Sequence, residues 1–232
     1  MPILPGPPRV EITLRRSARA RRFSLRVSPL DGRVTLSLPL RAREAEALAF
    51  VRGHEGWIRA ALAGAPQRAT VAIGSVLPLE GRLVTLVPGT GRVPLLVGDS
   101  LRVPGDPGQV AVRVAGYLRA LARDRLAAAS DRHALDVGRA YHSLALRDTR
   151  SRWGSCTAAG GLMYSWRLIM APPEVLDYVA AHEVAHLVQM NHSAAFWAVV
   201  AGLCPGYLRH RRWLKGQGQA LHGYRFSALG RA

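Results

Sequence analysis

The sequence predicts an α+β protein with a β-rich N-terminal module and a second half built around long helices. Apolar residues alternate with a period of two over Val10–Leu14 and Arg33–Leu38, as expected of half-buried strands. The spacing becomes helical over 109–133 and 173–190. The cluster Pro104–Gly108 breaks the chain between these regions. We therefore expect a domain boundary there.

The N-terminal module is predicted to cover 9–103. Its first strands are Val10–Leu14, Phe23–Val27 and 33–38, and Asp31-Gly32 is a hairpin signal before the third. A helix is predicted over 41–62. Short strands are then expected at 76–79, 82–87, 93–97 and 100–103.

The second half is predicted to form a domain over 109–216. The helix 109–133 is followed by strands Tyr141–Arg147 and Leu162–Ile169, and Pro172 and Pro173 suit the first turn of the helix 173–190. Ser193 is a candidate N-cap for a helix over Ala194–Leu203, and a short helix is expected over 207–215. Residues 217–232 are predicted to be a loosely ordered C-terminal tail.

Composition and charge exclude several classes of protein. The chain has 232 residues, of which 32 are Lys or Arg and 15 are Asp or Glu, giving a formal charge of +17. Its two cysteines, Cys156 and Cys204, cannot form a disulfide framework or a four-cysteine zinc site. The N-terminus lacks the pattern of a signal peptide, and no apolar run is long enough to span a bilayer. These features predict a cytoplasmic protein with reduced thiols and no membrane partner.

The segment 182–186 reads His-Glu-Val-Ala-His and carries the strongest chemical signal. On a helix, His182 and His186 lie one turn apart on the same face, so both imidazoles can reach one metal ion. Glu183 falls beside them, where its carboxylate can contact a water in the metal's open position. The alternative is a helix with two ordinary histidines in its core or on its surface.

A third ligand is expected downstream, because catalytic zinc usually takes three protein ligands and keeps a fourth position for water. No Asp or Glu follows Glu183, so the ordinary ligand types that remain are His192, Cys204, His210 and His222. His192 is six residues past His186. A chain reversal at Met190-Asn191, with Asn in the left-handed conformation, could return it to the metal.

Such a site predicts hydrolysis by a metal-activated water. One Zn²⁺ per chain would lower the pKa of its water and polarise the scissile carbonyl. Glu183 would act as the general base and then protonate the leaving amine. A non-peptide amide would be attacked by the same chemistry, so a hydrolase of that class stays open.

The chain resembles the YgjP-like metallopeptidases, which are related to SprT-like zinc proteases. The resemblance is dense over about 147–215 and is carried by these segments: Arg152-Trp-Gly-Ser-Cys156, Trp166-Arg-Leu-Ile169, Asp177-Tyr-Val179, the 182–186 motif, Asn191-His-Ser193, Phe196-Trp197, Pro205-Gly-Tyr207 and Arg212-Trp-Leu214. It implies a zincin-like catalytic half with a helix-borne HExxH motif, acting on protein or peptide substrates. It also implies His182, His186 and His192 as zinc ligands and Glu183 as the general base. Ser165 departs from the family pattern, where Asn is expected.

Other residues near the motif are candidates for substrate contact. Trp153, Gly154 and Ser155 are predicted to lie on an edge strand that lines the cleft, where a substrate peptide could add by backbone hydrogen bonds. Core packing of Trp153 with a bulge at Gly154 is the alternative. Tyr207 is a candidate donor to the oxyanion, with packing as the alternative.

The arginine clusters suggest a rival reading. Segment 9–26 holds seven arginines and one acid, Glu11, and segment 201–232 holds six basic residues and no acid. Such runs are usually solvated surfaces, but they also suit nucleic acid. A non-catalytic or DNA-directed module that binds nucleic acid is therefore the alternative function.

Overall fold

The computed structural model describes residues 2–7, 9–28, 32–63 and 69–226. The chain divides into two compact units, Met1–Arg68 and Ala69–Ala232. Within the described residues, no helix has the length and apolar character needed to cross a membrane.

The elements alternate between short strands and helices along the chain. The strands are β1 Ile3–Leu4, β2 Val10–Ser17, β3 Ser24–Val27, β4 Val34–Pro39, β5 Ala69–Thr70, β6 Val76–Leu79, β7 Arg82–Gly89, β8 Leu95–Val97, β9 Ser100–Pro104, β10 Ser143–Arg147, β11 Gly154–Cys156, β12 Gly161–Ser165 and β13 Tyr224–Arg225. The helices are α1 Glu44–Gly53, α2 Glu55–Ala63, α3 Val110–Asp136, α4 Pro173–Ala185, α5 Ala194–Leu203 and α6 Tyr207–Gln217. Short 3₁₀ helices cover Pro107–Gln109, Trp166–Met170 and Gly218–His222.

The first unit is a four-stranded sheet, in the order β1-β2-β4-β3, with α1 and α2. Alternate residues of β4 are buried, namely Val34, Leu36 and Leu38, because successive side chains of a strand point to opposite faces. They share one core with Val51 of α1 and Ile58 of α2. The predicted hairpin is present as the antiparallel β3–β4 pair, while Asp31 of its turn lies outside the described residues.

The second unit begins with a four-stranded sheet, in the order β6-β7-β9-β8. Leu86 of β7 and Leu101 of β9 share a core with Val114 and Leu118 of α3. The predicted boundary at Pro104–Gly108 therefore lies inside this unit. The proline and glycine cluster forms the turn into α3 because the strands before it and the helix after it bury the same apolar surface.

The second unit also holds the sheet that positions the site, in the order β10-β12-β11. β10 runs parallel to β12, and β11 pairs with β12 antiparallel, leaving β11 at an edge. Gly160 adopts a φ of +81° in the turn before β12, a conformation that glycine adopts without strain. Helix α4 packs against β11.

Residues 218–226 form a 3₁₀ helix and a strand, in contrast to the loosely ordered tail predicted from residue 217. Strand β13 pairs with β5. The Arg167 side chain, only 5% exposed, donates to the carbonyl oxygens of Leu221 and Tyr224 and forms a two-pronged ion pair with Asp148. A buried arginine needs such partners, so this segment is part of the unit.

One predicted helix is divided in two, and two other predicted elements end earlier than their apolar patterns suggest. The helix predicted over 41–62 divides into α1 and α2 at His54. The strand predicted to reach Ile169 ends at Ser165 and continues as a 3₁₀ helix. The helix predicted over 173–190 ends at Ala185, with His186 as its C-cap.

Candidate metal centre and cleft

Helix α4 carries His182 and Glu183 through the middle of the second unit. Nine of its thirteen residues are buried, including Val179, Ala180 and Val184, and a helix that is apolar over most of its surface is expected inside a core. Pro173 begins it without losing a hydrogen bond, because the first helical N–H groups have no partner within the helix. The core thus holds the helix that bears the polar motif.

The structure brings His182, His186 and His192 together. One ligand atom from each imidazole lies within 4.8 Å of the others. Nε2 of His192 is 3.2 Å from Nε2 of His182. His186 is buried, His182 is partly buried and His192 is exposed, so the group opens to solvent on the His192 side.

The loop after α4 orients His186 and returns His192 to the helix. Nδ1 of His186 lies 3.0 Å from the carbonyl oxygen of Gln189. Since a carbonyl can only accept, His186 donates from Nδ1, and its Nε2 keeps a lone pair. The expected left-handed Asn191 is absent, because Glu80 is the non-glycine residue with positive φ among the described residues. The turn instead begins at His186, where the α-helix has already ended.

Helix α5 packs against the three histidines through Phe196. Ser193 is its N-cap, as predicted, and its Oγ accepts from the N–H of Phe196. The Phe196 ring is fully buried, and its centre lies 4.9, 4.5 and 4.7 Å from the ring centres of His182, His186 and His192 respectively. One aromatic ring therefore supports all three imidazoles.

Burial shifts the protonation of the central groups. Burial, together with the nearby His186 and His192, lowers the pKa of His182 to about 4. Burial likewise lowers the pKa of His186. Both rings are thus neutral at neutral pH, which is the form that binds a metal. Burial raises the pKa of Glu183 to about 8, against the opposing charge of Arg152.

A cleft of about 480 Å³ opens over this group. Its lining residues are Ser151, Arg152, Gly154, Ser155, Cys156, His182, Glu183, His186, Met190 and His192. The cleft therefore lies between the C-terminal end of α4 and strand β11.

Among the described residues, no strand pairs with the second edge of β11, which lies beside the cleft. Ser165 donates its N–H to the carbonyl of Trp153, and Thr157 donates its N–H to the carbonyl of Gly161. Because hydrogen-bonded and non-hydrogen-bonded pairs alternate in an antiparallel ladder, the main-chain N–H and C=O groups of Gly154 and Cys156 point away from β12.

The structure places two of the four predicted substrate-contact residues on the cleft and two outside its lining. Gly154 and Ser155 line the cleft, whereas Trp153 and Tyr207 are outside its lining. The Trp153 ring stacks on His222, and the Tyr207 ring stacks on Trp197 at 5.4 Å between ring centres. Ser165 is fully buried, so its departure from the family pattern changes the interior and not the surface of the cleft.

Three contributors were not identified from the sequence. Gln189 orients His186 through a backbone carbonyl, which no residue pattern reveals. Phe196 supports the imidazoles, and an apolar residue in an apolar helix gives no signal of such a role. Arg152 lines the cleft, and its charge acts on Glu183; only its adjacency to the predicted edge strand could have indicated this.

The residues present fit a metal of the zinc type. Zn–N distances of about 2.0–2.1 Å in a tetrahedral arrangement place two ligand nitrogens roughly 3.3 Å apart, close to the 3.2 Å between His182 and His192. His186 has the carbonyl partner typical of a ligating imidazole. His182 differs, because its buried Nδ1 has no hydrogen-bond partner among the described residues. Tyr178 and Phe196 pack against its ring instead.

The converging imidazoles form a candidate metal site beside a cleft, and the comparisons give the family. The family model described as YgjP-like, metallopeptidase domain, matches residues 21–217. This chain belongs to that family and carries its metallopeptidase domain. The search of curated proteins finds no match.

A solved structure is also similar to part of the chain. It is the metallopeptidase zymogen abylysin of Pyrococcus abyssi, with 23% sequence identity and a TM-score of 0.34. The similarity covers 41% of this chain and 95% of that chain.

Proposed function

We propose that this protein is a zinc-dependent peptidase with His182, His186 and His192 as its ligands. The convergence of the three imidazoles, with ligand atoms within 4.8 Å of one another, carries the proposal. Imidazole donors suit zinc and other late transition metals, whereas magnesium and calcium prefer oxygen donors. A zinc ion held there would supply a Lewis acid and a water of lowered pKa.

Glu183 is the proposed general base. It lines the same cleft as the imidazoles and is adjacent to His182 in the chain. Burial alone favours the protonated form of Glu183, but the charge of a bound zinc would favour the carboxylate. The carboxylate would then accept a proton from the attacking water and deliver it to the leaving amine. It is only 5% exposed, so bulk water does not compete for the proton.

The substrate is proposed to bind as an added strand on β11. The outward main-chain groups of Gly154 and Cys156 can pair with an extended peptide. A peptide paired there passes over Glu183, because α4 packs against β11 and both elements line the cleft. Binding through the main chain leaves side-chain selection to the cleft walls.

Metal removal and replacement test this proposal. We expect about one zinc per chain in the purified protein, and we expect a strong chelator to abolish cleavage of an unstructured protein substrate. Zn²⁺ or Co²⁺ should restore cleavage, and the Co²⁺ form should show the visible absorption of a tetrahedral site. Mg²⁺ is the matched control and should restore nothing. Full cleavage by metal-free protein would refute the proposal.

A second candidate function is binding of nucleic acid by the first unit. In the β2–β4 pair, Thr13 lies opposite Thr35 and Arg15 lies opposite Ser37. In the β3–β4 pair, Arg26 lies opposite the same Thr35. Residues directly opposite each other share one face of a sheet. Arg15 and Arg26 are exposed and form no ion pair among the described residues. This arginine and hydroxyl face is suited to phosphate oxygens.

Salt dependence tests the second candidate. The double variant R15Q/R26Q should weaken binding of a 20-base-pair DNA duplex and reduce the slope of log affinity against log salt by about 2. Fluorescence anisotropy at several salt concentrations measures both quantities. R123Q/R139Q is the matched control, because it removes the same charge from exposed positions of the second unit. Equal effects of the two double variants would contradict a role for this face.

A further inference from the structure

Gly154 leaves no room for a side chain of its own. A Cβ atom added there would lie 2.5 Å from Oε1, 2.6 Å from Cγ and 2.7 Å from Cδ of Glu183. These are distances that real Cβ atoms essentially never show. Gly154 is not among the glycines with positive φ, so any residue could adopt its backbone conformation. Space, and not backbone freedom, requires glycine at this position.

The contact involves the whole end of the Glu183 side chain. Glutamate has three rotatable side-chain bonds, and its position must be set by something outside itself. Among the described residues, no hydrogen bond or ion pair to the Glu183 carboxylate is present. The close-packed strand at Gly154 is therefore the surface against which this carboxylate rests.

We propose that Gly154 is a positioning residue for Glu183, allowing its carboxylate to lie flat against β11 beneath the bound peptide. The inference rests on the proposed function, since it concerns the base of that reaction. It assigns Gly154 a role different from direct side-chain recognition of substrate. The same residue offers its edge N–H and C=O to the peptide, so one position aligns both the base and the bond to be cleaved.

The variant Gly154→Ala tests this inference. The three atoms nearest the added methyl group all belong to the flexible Glu183 side chain, so we expect the protein to fold and to keep its zinc. We expect kcat to fall about 100-fold, the loss typical of a 1 Å misplacement of a reacting group, with a smaller change in KM. A crystal structure of the variant should show the Glu183 carboxylate moved from its place. An unmoved carboxylate would overturn the inference without any activity measurement.

A double-mutant cycle separates positioning from a general need for glycine in the strand. Glu183→Asp shortens the side chain and withdraws it from Gly154, so it should harm the Gly154→Ala variant less than the parent. Residues in contact couple in this way, whereas independent effects add. Additive losses in the cycle would overturn the inference. Gly116→Ala, at a glycine of α3 where an added Cβ would meet no atom within 4 Å, is the control and should change kcat little.

The cycle also separates this inference from the proposed function. If Glu183→Gln keeps full activity, the assignment of the base fails. If Glu183→Gln is inactive while Gly154→Ala keeps the activity of the parent, the base stands and the positioning role fails.

Discussion

Replacing Glu183 with glutamine should reduce kcat by about 10³–10⁴-fold, near the upper end of what a positioned general base contributes. Glutamine has the same shape but cannot accept the proton of the attacking water. Zinc content should stay at one per chain, because the three imidazoles are untouched. Folding stability should not fall, since the amide removes a carboxylate that is only 5% exposed. Steady-state cleavage of a quenched fluorescent peptide and elemental analysis measure the two quantities.

The control for this experiment is Glu174→Gln. Glu174 lies in the first turn of the same helix and lines a different cavity. The Glu174→Gln substitution replaces a carboxyl group of the same helix by an amide and should leave kcat unchanged. A Glu183→Gln variant that retains more than a tenth of the parental kcat would show that another group accepts the proton.

The site was predictable where chemistry depends on local spacing. The positions of His182, Glu183 and His186 follow from the geometry of one helix turn, and the structure places all three on the cleft. The proximity of His192 was expected from its six-residue step and from the family resemblance. The prediction of the turn that brings His192 back was wrong in detail, because helix α4 ends at Ala185 and Asn191 does not adopt the left-handed conformation.

The fold was predictable where apolar periodicity is strong and less so where an element is terminated by tertiary contacts. Three of the four strands of the first unit, β2, β3 and β4, follow from alternation, as in the buried Val34, Leu36 and Leu38 of β4, whereas the short β1 was not predicted. The extent of the second unit could not be read from the chain, because the breaker at Pro104–Gly108 joins elements of one core. Local composition marks a turn but does not show which elements pack together afterwards.

The close packing of Gly154 on Glu183 could not be predicted from the sequence. Glycine in a strand suggests a bulge or a close approach, without naming the partner. The partner lies 29 positions later in the chain, on a helix whose packing against β11 is a tertiary feature. The spacing within one helix therefore predicts the position of Glu183, whereas its contact with Gly154 depends on how the helix and the strand pack together.

Replacing His192 with alanine should lower zinc affinity by more than the roughly 10–100-fold that loss of an outer hydrogen-bonding partner causes. In the proposed site His192 supplies one of the three nitrogens, and two imidazoles alone would leave the ion with only two protein ligands. Because His192 is exposed, its removal should leave the fold intact, as circular dichroism can verify. Competition with a chromophoric chelator measures the affinity. Peptidase activity should disappear at zinc concentrations that saturate the parent.

Two further variants make the ligand assignment specific. His192→Cys keeps a zinc-binding side chain at the same position and should recover much of the lost affinity, because thiolate sulfur is a common zinc ligand. His210→Ala removes a downstream histidine that lies outside the cleft lining and should bind zinc as the parent does. Parental affinity in His192→Ala, with loss in His210→Ala or Cys204→Ala, would transfer the third ligand to another residue. Since His182 and His192 already approach to 3.2 Å, we expect the loss to follow His192.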